Sequence, residues 1–386
     1  TPARKTNAPT QQITPIGNIT GGVDTHRDFH VAAATDTLGH HLGTRRFPAT
    51  TTGHTALLTW LTGFGPVTAV GVEGTGSYGA GLTTHLHTHG ITVREVTRPN
   101  RQTRRRTGKS DPADAIAAAA ATLAATATAT PKPRTGPVES VRVLRTVRDQ
   151  LNKARTATIN TLHALTVTAP DDLRESLHGL STTALITHCA TLPAPTPPAP
   201  GLRGKAKTHA AHALATALLD SHTGLRLALT QLAQTIRVYD TRLRELDTAL
   251  HAVVTTIAPR TIGLYGLGPD TTGQLLTTAG HTPDRLHSEA AFARLTGVAP
   301  RDASSGNHDH QRLSRAGDRQ ANAALYRVVL TRLAGHEATR AYLAKRLSPN
   351  SGNKKHLIRC LKRYAAREIY PRLMADLAAL PTLQTA

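Results

Sequence analysis

The chain contains few cysteines, few aromatic residues and no long apolar run, and each shortage argues against a class of protein. Two cysteines, Cys189 and Cys360, stand far apart, so neither a disulfide framework nor a zinc site is implied and a reducing cytoplasm is expected. Aromatic residues make up 3% of the chain, which disfavours a protein that grips single strands by stacking bases. No run approaches the roughly 20 apolar residues of a membrane-spanning helix. We expect no secretory signal.

Positive charge, by contrast, is abundant. Lys and Arg number 46 against 25 Asp and Glu, which gives a formal net charge of +21. A polyanion is therefore the expected partner, with nucleic acid as the first candidate and a membrane surface less favoured. Arg and Lys contacts to the backbone and grooves are the expected mode of binding. The 21 histidines are scattered, and compositional bias explains the alternation of His85, His87 and His89 better than a metal site does.

The first third of the chain alternates strand-like and helix-like segments. A loose polar tail is expected over residues 1–17, and a helix over Thr52–Thr62. A glycine-containing turn after Glu73 leads to a second helix that ends at Gly90. The predicted strands are Asn18–Asp24, His30–Asp36, His41–Phe47, Ala69–Glu73 and Ile91–Val96. Three strands in a meander followed by β-α-β units predict a mixed sheet of ribonuclease H-like order over residues 18–130.

The rest of the chain is predicted to be helical, which makes the fold class α/β plus all-α. A linker at Pro131–Pro137 leads to a helical coiled-coil region, residues 137–258, that a Pro-rich stretch, Pro193–Pro200, interrupts. A heptad seam runs from Leu225 to Ile257. It fits an intramolecular hairpin with the preceding helix or pairing between subunits, and both alternatives stay open. Residues 259–386 form a third, mostly helical unit in which Val298–Gly317 is predicted to be irregular and basic.

Four carboxylates stand where strands end or a helix begins, and they are candidate metal ligands. Asp24 and Glu73 close two neighbouring strands, while Asp111 and Asp114 open the helix that follows a basic loop. Strand ends and a helix start can converge on one sheet edge, where several carboxylates hold the divalent cations, here Mg²⁺, of phosphodiester chemistry. The alternative for the Asp111–Asp114 pair is a capped helix start, with Asp111 as the N-cap and Pro112 at the first helical position.

Two further features point to nucleic acid. The basic loop precedes the Asp111–Asp114 pair, and we favour nucleic-acid contact there over a merely solvated face. Its candidate contact residues are Arg101, Arg104, Arg105, Arg106 and Lys109. Gly266 and Gly268, before a helix that begins near Pro269, resemble a helix-hairpin-helix phosphate grip, although a plain turn between two helices would need the same glycines.

Several motifs together resemble one family. Gly22–His26, Val72–Tyr78 and Lys109–Asp114 are similar to the Asp-Glu-Asp-Asp tetrad of RuvC-like transposases from the bacterial insertion-sequence family one hundred and ten. Leu295–Gly306 and Arg312–Arg319 resemble the C-terminal transposase domain of that family. The motifs follow the family's order and span nearly the whole chain.

The resemblance implies more than the residues alone do. Members are recombinases that excise and insert their mobile element, guided by a structured non-coding bridge RNA that pairs with double-stranded target and donor DNA. They act as homo-oligomers, expected here as a dimer that assembles to a tetramer, with the tetrad of one subunit beside a catalytic serine of another. That serine corresponds to Ser305, with Ser304 as the second choice. Arg301, Arg312 and Arg315, which lie in the same motifs, are expected DNA contacts.

Two alternatives from other classes remain. A hydrolytic nuclease of the junction-resolvase type would use metal-bound water and make Ser305 incidental. A binding scaffold on a decayed RuvC-like fold would bind DNA or RNA without cutting it. Strand cleavage that depends on a divalent metal separates the scaffold from the two enzymes, and a trapped protein–DNA adduct separates the recombinase from the nuclease.

Overall fold

A computed structural model of the chain describes residues 15–96, 110–127, 129–280, 286–302, 304, 306, 311–313, 316–347 and 354–380. Several predicted features lie outside these residues: most of the tail over 1–17, the basic loop with Arg101, Arg104, Arg105, Arg106 and Lys109, and also Ser305 and Arg315. The described chain divides into two compact units. The first comes from residues 1–139, 279–292 and 377–386, and the second from residues 140–278 and 293–376.

The first unit contains a five-stranded mixed sheet in the order β3-β2-β1-β4-β5. Its strands are β1 (Ile19–Thr25), β2 (Phe29–Thr35), β3 (His41–Pro48), β4 (Val67–Glu73) and β5 (Thr92–Val96). The first three strands pair antiparallel in a meander, whereas β4 and β5 run parallel to β1. The predicted mixed sheet is therefore confirmed, with small differences at the strand ends.

Helices cover the two faces of this sheet. They are α1 (Thr51–Thr62), α2 (Ala80–Thr88) and α3 (Asp111–Leu123). The α1 and α2 side buries a core that includes Val23, Leu57 and Leu82. On the other side α3 lies against the sheet, because glycines leave room for its backbone. A Cβ atom at Gly22 would stand 2.1 Å from the amide nitrogen of Ala119.

The chain from residue 136 onwards, which contains the whole second unit, is mainly helical. Residues 136–295 contain α4 (Gly136–Val167), α5 (Asp171–Leu177), α6 (Thr182–Cys189), α7 (Gly204–Leu218), α8 (Ser221–Ile257), α9 (Pro259–Ile262), α10 (Pro269–Ala279) and α11 (Glu289–Leu295). Later come α12 (Arg319–Gly335), α13 (Glu337–Arg346) and α14 (Lys354–Ala379). None of the described helices is both long and apolar enough to cross a membrane. The predicted boundaries at 137–258 and 259–386 stay a prediction.

Two residues of the heptad seam of α8, Leu229 and Ile236, are buried in one hydrophobic cluster with Leu162 of α4. Arg148 and Arg155 of α4 form ion pairs with Asp247 and Asp240 of α8. Residue numbers that increase along α4 pair with residue numbers that decrease along α8, so the two helices run antiparallel. The contact corresponds to the intramolecular alternative, while a coiled coil between subunits stays a prediction.

One expectation for the second unit is wrong. Val298–Gly317 is not irregular throughout, because β6 (Pro300–Asp302) and β7 (Gln311–Leu313) form a two-stranded antiparallel sheet. Each strand has only three residues, too few for a period-two pattern to show. We call the segment from 298 to 316 the serine hairpin, since the sequence between its two strands contains Ser304 and Ser305.

Candidate metal centre and serine hairpin

The local fold brings the four predicted acids towards one edge of the sheet. Val23 of β1 pairs with Val72 of β4 in a parallel register, so Asp24 and Glu73, one residue further on, are neighbours on adjacent strands. Gly22 and Gly71 stand two residues earlier, on the side where α3 packs. Since side chains alternate along a strand, both acids project towards α3.

The first turn of α3 carries the other two acids to the same place. Ala115 and Ala118 are buried on the sheet-facing side of α3. Asp111 and Asp114 stand four residues before them, one helical turn away on the same side. The predicted N-cap is wrong by one residue: Ser110 caps the helix, and its side chain accepts a hydrogen bond from the Ala113 amide. Asp111 is therefore not the N-cap residue, which was the alternative role that the sequence allowed for it.

A histidine that the sequence analysis did not select lies between two of these acids. The Nε2 atom of His26 is 3.2 Å from Oδ2 of Asp24 and 3.4 Å from Oδ2 of Asp111. The possible ligand atoms of these three residues all lie within 4.8 Å of one another. No periodic signal marked His26 in the sequence, because it follows Thr25, the last residue of β1, and alternation no longer defines a side there.

Electrostatics at this edge favour a bound cation. Asp24 is 6% exposed, and burial raises the pKa of its carboxyl group above the ordinary value, while His26 opposes the rise. The charges of Glu73, Asp114 and Asp111 raise the pKa of Asp24 further. Four acids close enough to influence one another repel, and oxygen ligands of this kind suit a hard divalent ion. The residues present therefore fit a divalent metal.

Backbone contacts fix the strand ends that carry Asp24 and Glu73. The hydroxyl of Thr25 donates a hydrogen bond of 2.8 Å to the carbonyl of Glu73. Arg134 donates from Nη2 to the carbonyl of Gly76, at 3.0 Å, and so holds the turn that follows Glu73. These contacts join the strand ends and leave little freedom for the acids to separate.

Three other predicted residues lie in the described part of the serine hairpin. Ser304 donates from its amide, at 2.9 Å, and from its hydroxyl to Oδ1 of Asp302, as in a turn closed by an Asx side chain. Arg301 and Arg312 are exposed and stand directly opposite each other on the two strands. Two like charges in cross-strand positions repel, so an anion between them would stabilise the pair.

The two glycines of the predicted phosphate grip have internal partners. A Cβ atom at Gly266, where φ is +85°, would lie 3.1 Å from the carbonyl of Val328. The amide of Gly268 donates to the hydroxyl of Thr271 at 2.9 Å. Close packing and this hydrogen bond account for both glycines as parts of a plain turn, and phosphate binding by them stays a prediction.

Comparison with known families agrees with this geometry. Residues 21–169 match DEDD_Tnp_IS110, described as a transposase. Residues 263–344 match a second model, described as a transposase of the IS116/IS110/IS902 family. No curated protein matches the chain. The mixed sheet with its clustered acids and these two matches define a transposase, an enzyme class that recombines DNA.

The two matches are successive domains of one family and together cover more than half of the chain. The chain belongs to the IS110 family of transposases. The first match contains all four predicted acids and His26, and the second contains the whole serine hairpin.

Proposed function

We propose that this transposase is an RNA-guided recombinase that cleaves and rejoins DNA strands through a covalent phosphoserine intermediate. The observation that carries the proposal is the convergence of four acids on one sheet edge, in a chain whose second domain contains a separate serine motif. A hydrolytic nuclease would need the first feature only.

Asp24, Glu73, Asp111 and Asp114 are the proposed ligands of Mg²⁺, and His26 stands within reach of the same position. When bound, the divalent ion supplies positive charge that stabilises the charge developing on the transferring phosphate. The chain itself holds the acids in place through the Thr25 and Arg134 contacts described above.

Ser305 is the proposed nucleophile. Its Oγ atom forms a bond to the scissile phosphorus as the bond to the leaving DNA oxygen breaks, and the serine proton is given up as the leaving oxygen gains one. Rejoining is the reverse attack by a DNA hydroxyl on the phosphoserine. Because the ester conserves the phosphodiester bond, no external energy source is required. The hydroxyl of Ser304 donates to the Asp302 carboxylate, and the choice of Ser305 rests on its position in the family's serine motif.

Double-stranded target and donor DNA and a structured guide RNA are the proposed partners, in a homo-oligomer that grows from dimer to tetramer. The net charge of +21 supports polyanion binding. The facing pair Arg301 and Arg312 is a proposed phosphate contact, and Arg315 and the basic loop over 98–109 are proposed to bind phosphate as well. Gly266 and Gly268 remain weaker candidates for such a contact.

Trapping of the adduct tests the mechanism. Incubation with element-end DNA and Mg²⁺, followed by denaturation, should leave DNA attached to the wild-type protein and to Ser304→Ala but not to Ser305→Ala. Free cut ends without an adduct would support hydrolysis instead. No cleavage at all, with binding intact, would support the scaffold.

Calorimetric titration tests the metal centre without any turnover. The wild-type protein should bind Mn²⁺, used as a probe for Mg²⁺, and Asp24→Asn should abolish the high-affinity site. His26→Ala should weaken binding by about 10-fold or more, because its Nε2 atom lies beside Asp24 and Asp111. His41→Ala is the matched control, because His41 is exposed on β3 of the same unit. Equal binding by all variants would contradict the site.

Nucleic acid that copurifies with the protein tests the guide. Sequencing should recover a defined non-coding RNA that matches DNA flanking the reading frame. A random mixture of cellular RNA would contradict guidance while leaving the DNA chemistry open to the adduct test.

A further inference from the structure

An arginine on β3 lies in the same row of the sheet as one of the clustered acids. Asp24 of β1 stands directly opposite Val31 of β2, and Val31 stands directly opposite Arg46 of β3. Residues that face each other on neighbouring strands project to the same side of a sheet. Val31 is buried in a cluster with Ala115 of α3. The row that contains Arg46 therefore projects towards α3, the side on which the acids lie.

Arg46 is close enough to the acids to contact the same strand of DNA. Neighbouring strands of a sheet lie about 4.8 Å apart, so two strand spacings put the Cα atoms of Arg46 and Asp24 about 10 Å apart. One strand of DNA carries a charge for about every 3.4 Å of helix axis. Phosphates a few nucleotides apart on one strand therefore match the separation between this arginine and the acids.

An aromatic ring links Arg46 to the acids. The Cζ atom of Arg46 lies 3.4 Å from the centroid of the Phe29 ring, and the centroid of the His26 ring lies 4.6 Å from that of Phe29. His26 in turn lies beside Asp24 and Asp111. The amide of His26 donates to the carbonyl of Phe29 at 3.0 Å, which closes the turn between β1 and β2. The attraction between the guanidinium and the Phe29 ring holds the charge of Arg46 on the side of the acids.

The positive charge of Arg46 is accessible to a ligand. The residue is exposed, and it forms no ion pair within the part of the chain that the structure describes. A guanidinium that stands over a ring keeps its N–H donors directed outwards, because they lie in the plane of the group. Such a group binds a phosphate through two parallel hydrogen bonds.

We propose that Arg46 is a substrate-binding residue of the first unit, which holds a phosphate of the DNA strand beside the clustered acids. The inference rests on the proposed function, since it takes those acids as the place where a DNA strand is cut. It adds a cation that holds the strand a few nucleotides from the scissile phosphate. The Phe29 ring orients this cation.

Arg45 provides a matched comparison in the same strand. It is exposed like Arg46, and its Cζ atom also stands over a phenylalanine ring, that of Phe47, at 5.5 Å. Arg45 lies opposite Ala32, which is buried with Phe47 in the core on the α1 and α2 side. The two arginines therefore have the same charge and similar ring contacts on opposite faces of one strand, and only the face of Arg46 carries the acids.

The salt dependence of DNA binding tests the proposal. The affinity for element-end DNA is measured over a series of KCl concentrations in Ca²⁺, which takes oxygen ligands as Mg²⁺ does. The variants are Arg46→Gln, Arg46→Lys and the control Arg45→Gln. Arg46→Met, which keeps an apolar side chain against Phe29, is a second neutral variant in case Arg46→Gln does not fold. Thermal unfolding and Mn²⁺ titration are measured on each protein.

We expect both neutral variants of Arg46 to lower the slope of log affinity against log salt concentration by about 0.9, the value for one phosphate contact. At physiological salt this change corresponds to DNA binding about 5-fold weaker. Arg46→Lys should keep the slope, because it keeps the charge, and Arg45→Gln should match the wild type. Mn²⁺ affinity should not fall in any variant, since neither arginine is a metal ligand.

Two results would overturn the proposal. Equal slopes for folded Arg46→Gln and Arg45→Gln proteins would mean that the side of the sheet makes no difference to DNA binding. An unchanged slope with a lower unfolding temperature in Arg46→Gln would assign the arginine to packing on Phe29 alone.

The outcomes also separate this inference from the proposed function. A wild-type protein that leaves DNA uncut in Mg²⁺, while Arg46→Gln lowers the slope, removes the proposed chemistry and keeps Arg46 as a DNA contact. A wild-type protein that forms the adduct, with the same slope in every variant, removes the phosphate contact alone.

Discussion

The two units of this transposase hold their candidate site residues in different ways. In the first unit, the pairing of backbone strands determines where the acids lie. Asp24 and Glu73 are neighbours because β1 and β4 are paired. The acids of α3 lie nearby because glycines in the sheet leave room for the backbone of that helix. In the second unit, side-chain contacts determine the arrangement before β6, since Asn322 of α12 donates to the carbonyl of Gly297 and accepts a hydrogen bond from Lys362 of α14. A site built on register can be derived from sequence periodicity. A site built on side-chain contacts between distant segments needs the structure.

Asp24→Asn should separate the chemistry of the first unit from its stability. Loss of this proposed metal ligand should reduce strand cleavage by more than about 100-fold. The same change should raise the free energy of unfolding of the metal-free protein, because it removes a buried charge that Glu73 and Asp114 repel. Cleavage assays and urea denaturation in EDTA measure the two effects.

Asp28→Asn is the control for this change, since the Asp28 side chain is 82% exposed in the turn after β1. It should alter neither quantity. A destabilised Asp24→Asn protein in EDTA would mean that the carboxylate is held by partners rather than crowded by acids, and the register argument would lose its electrostatic part.

Two glycine substitutions compare tight backbone packing in the first unit with open space around α8 in the second. Gly22→Ala should lower the free energy of unfolding by about 3 kcal/mol, because its Cβ would clash with Ala119 and Ala115 of α3. Gly224→Ala in α8 meets nothing within 4 Å and should be neutral or raise stability by up to about 1 kcal/mol. Urea denaturation of both variants measures the difference. Equal effects would show that α3 yields easily and does not fix the acids.

Much of the first unit could be predicted from the sequence. Val23 and Val72 lie in short apolar runs that end in a carboxylate, and such runs identify buried strands whose ends meet at a sheet edge. His26 was missed because it follows the last strand residue, where alternation no longer defines a side. Ser110 was missed as the cap because Asp111 next to it is an equally good capping residue.

The second unit was less predictable for physical reasons. The periodicity of Leu225 to Ile257 gave the long helix, but a heptad seam is satisfied equally by a helix of the same chain or of another. Strands of three residues give no periodic signal, so the sequence did not predict β6 and β7. The link from Lys362 through Asn322 to Gly297 joins residues 65 positions apart, and nothing in the local sequence of either segment indicates it.

At low pH, protonation of a buried histidine pair should lower the stability of the first unit. The Nε2 atoms of His30 and His54 are 3.3 Å apart, and His30 is fully buried. Burial, with the charge of His54, lowers the pKa of His30 to about 4. The ordinary value of 6.5 applies in the unfolded chain, so stability present above pH 6.5 is lost as the pH falls towards 4. The loss should reach about 3 kcal/mol.

Urea denaturation of the wild type and His30→Gln between pH 7 and pH 4 measures this effect. The variant should show a shallower decline with falling pH, whereas His41→Gln, at an exposed position of β3, should follow the wild type. Parallel declines in all three proteins would mean that His30 is protonated as easily in the folded state as in the unfolded state.

The smallest expected effect concerns the helix pair of the second unit. Arg148 donates from Nε to Oδ1 of Asp247 at 2.5 Å, and this hydrogen bond raises the pKa of the guanidinium group. The Asp247 side chain is 50% exposed, so water and salt screen the pair, and Asp247→Asn should lower the free energy of unfolding by about 0.5 kcal/mol.

Because the pair joins helices of one chain, this loss of stability should not depend on protein concentration, and it should shrink in 1 M salt. Glu245→Gln, which breaks a pair within α8 alone, provides the reference for a pair that joins no second helix. A cost that grows on dilution would instead assign the contact to two subunits, since only an association equilibrium makes stability depend on concentration.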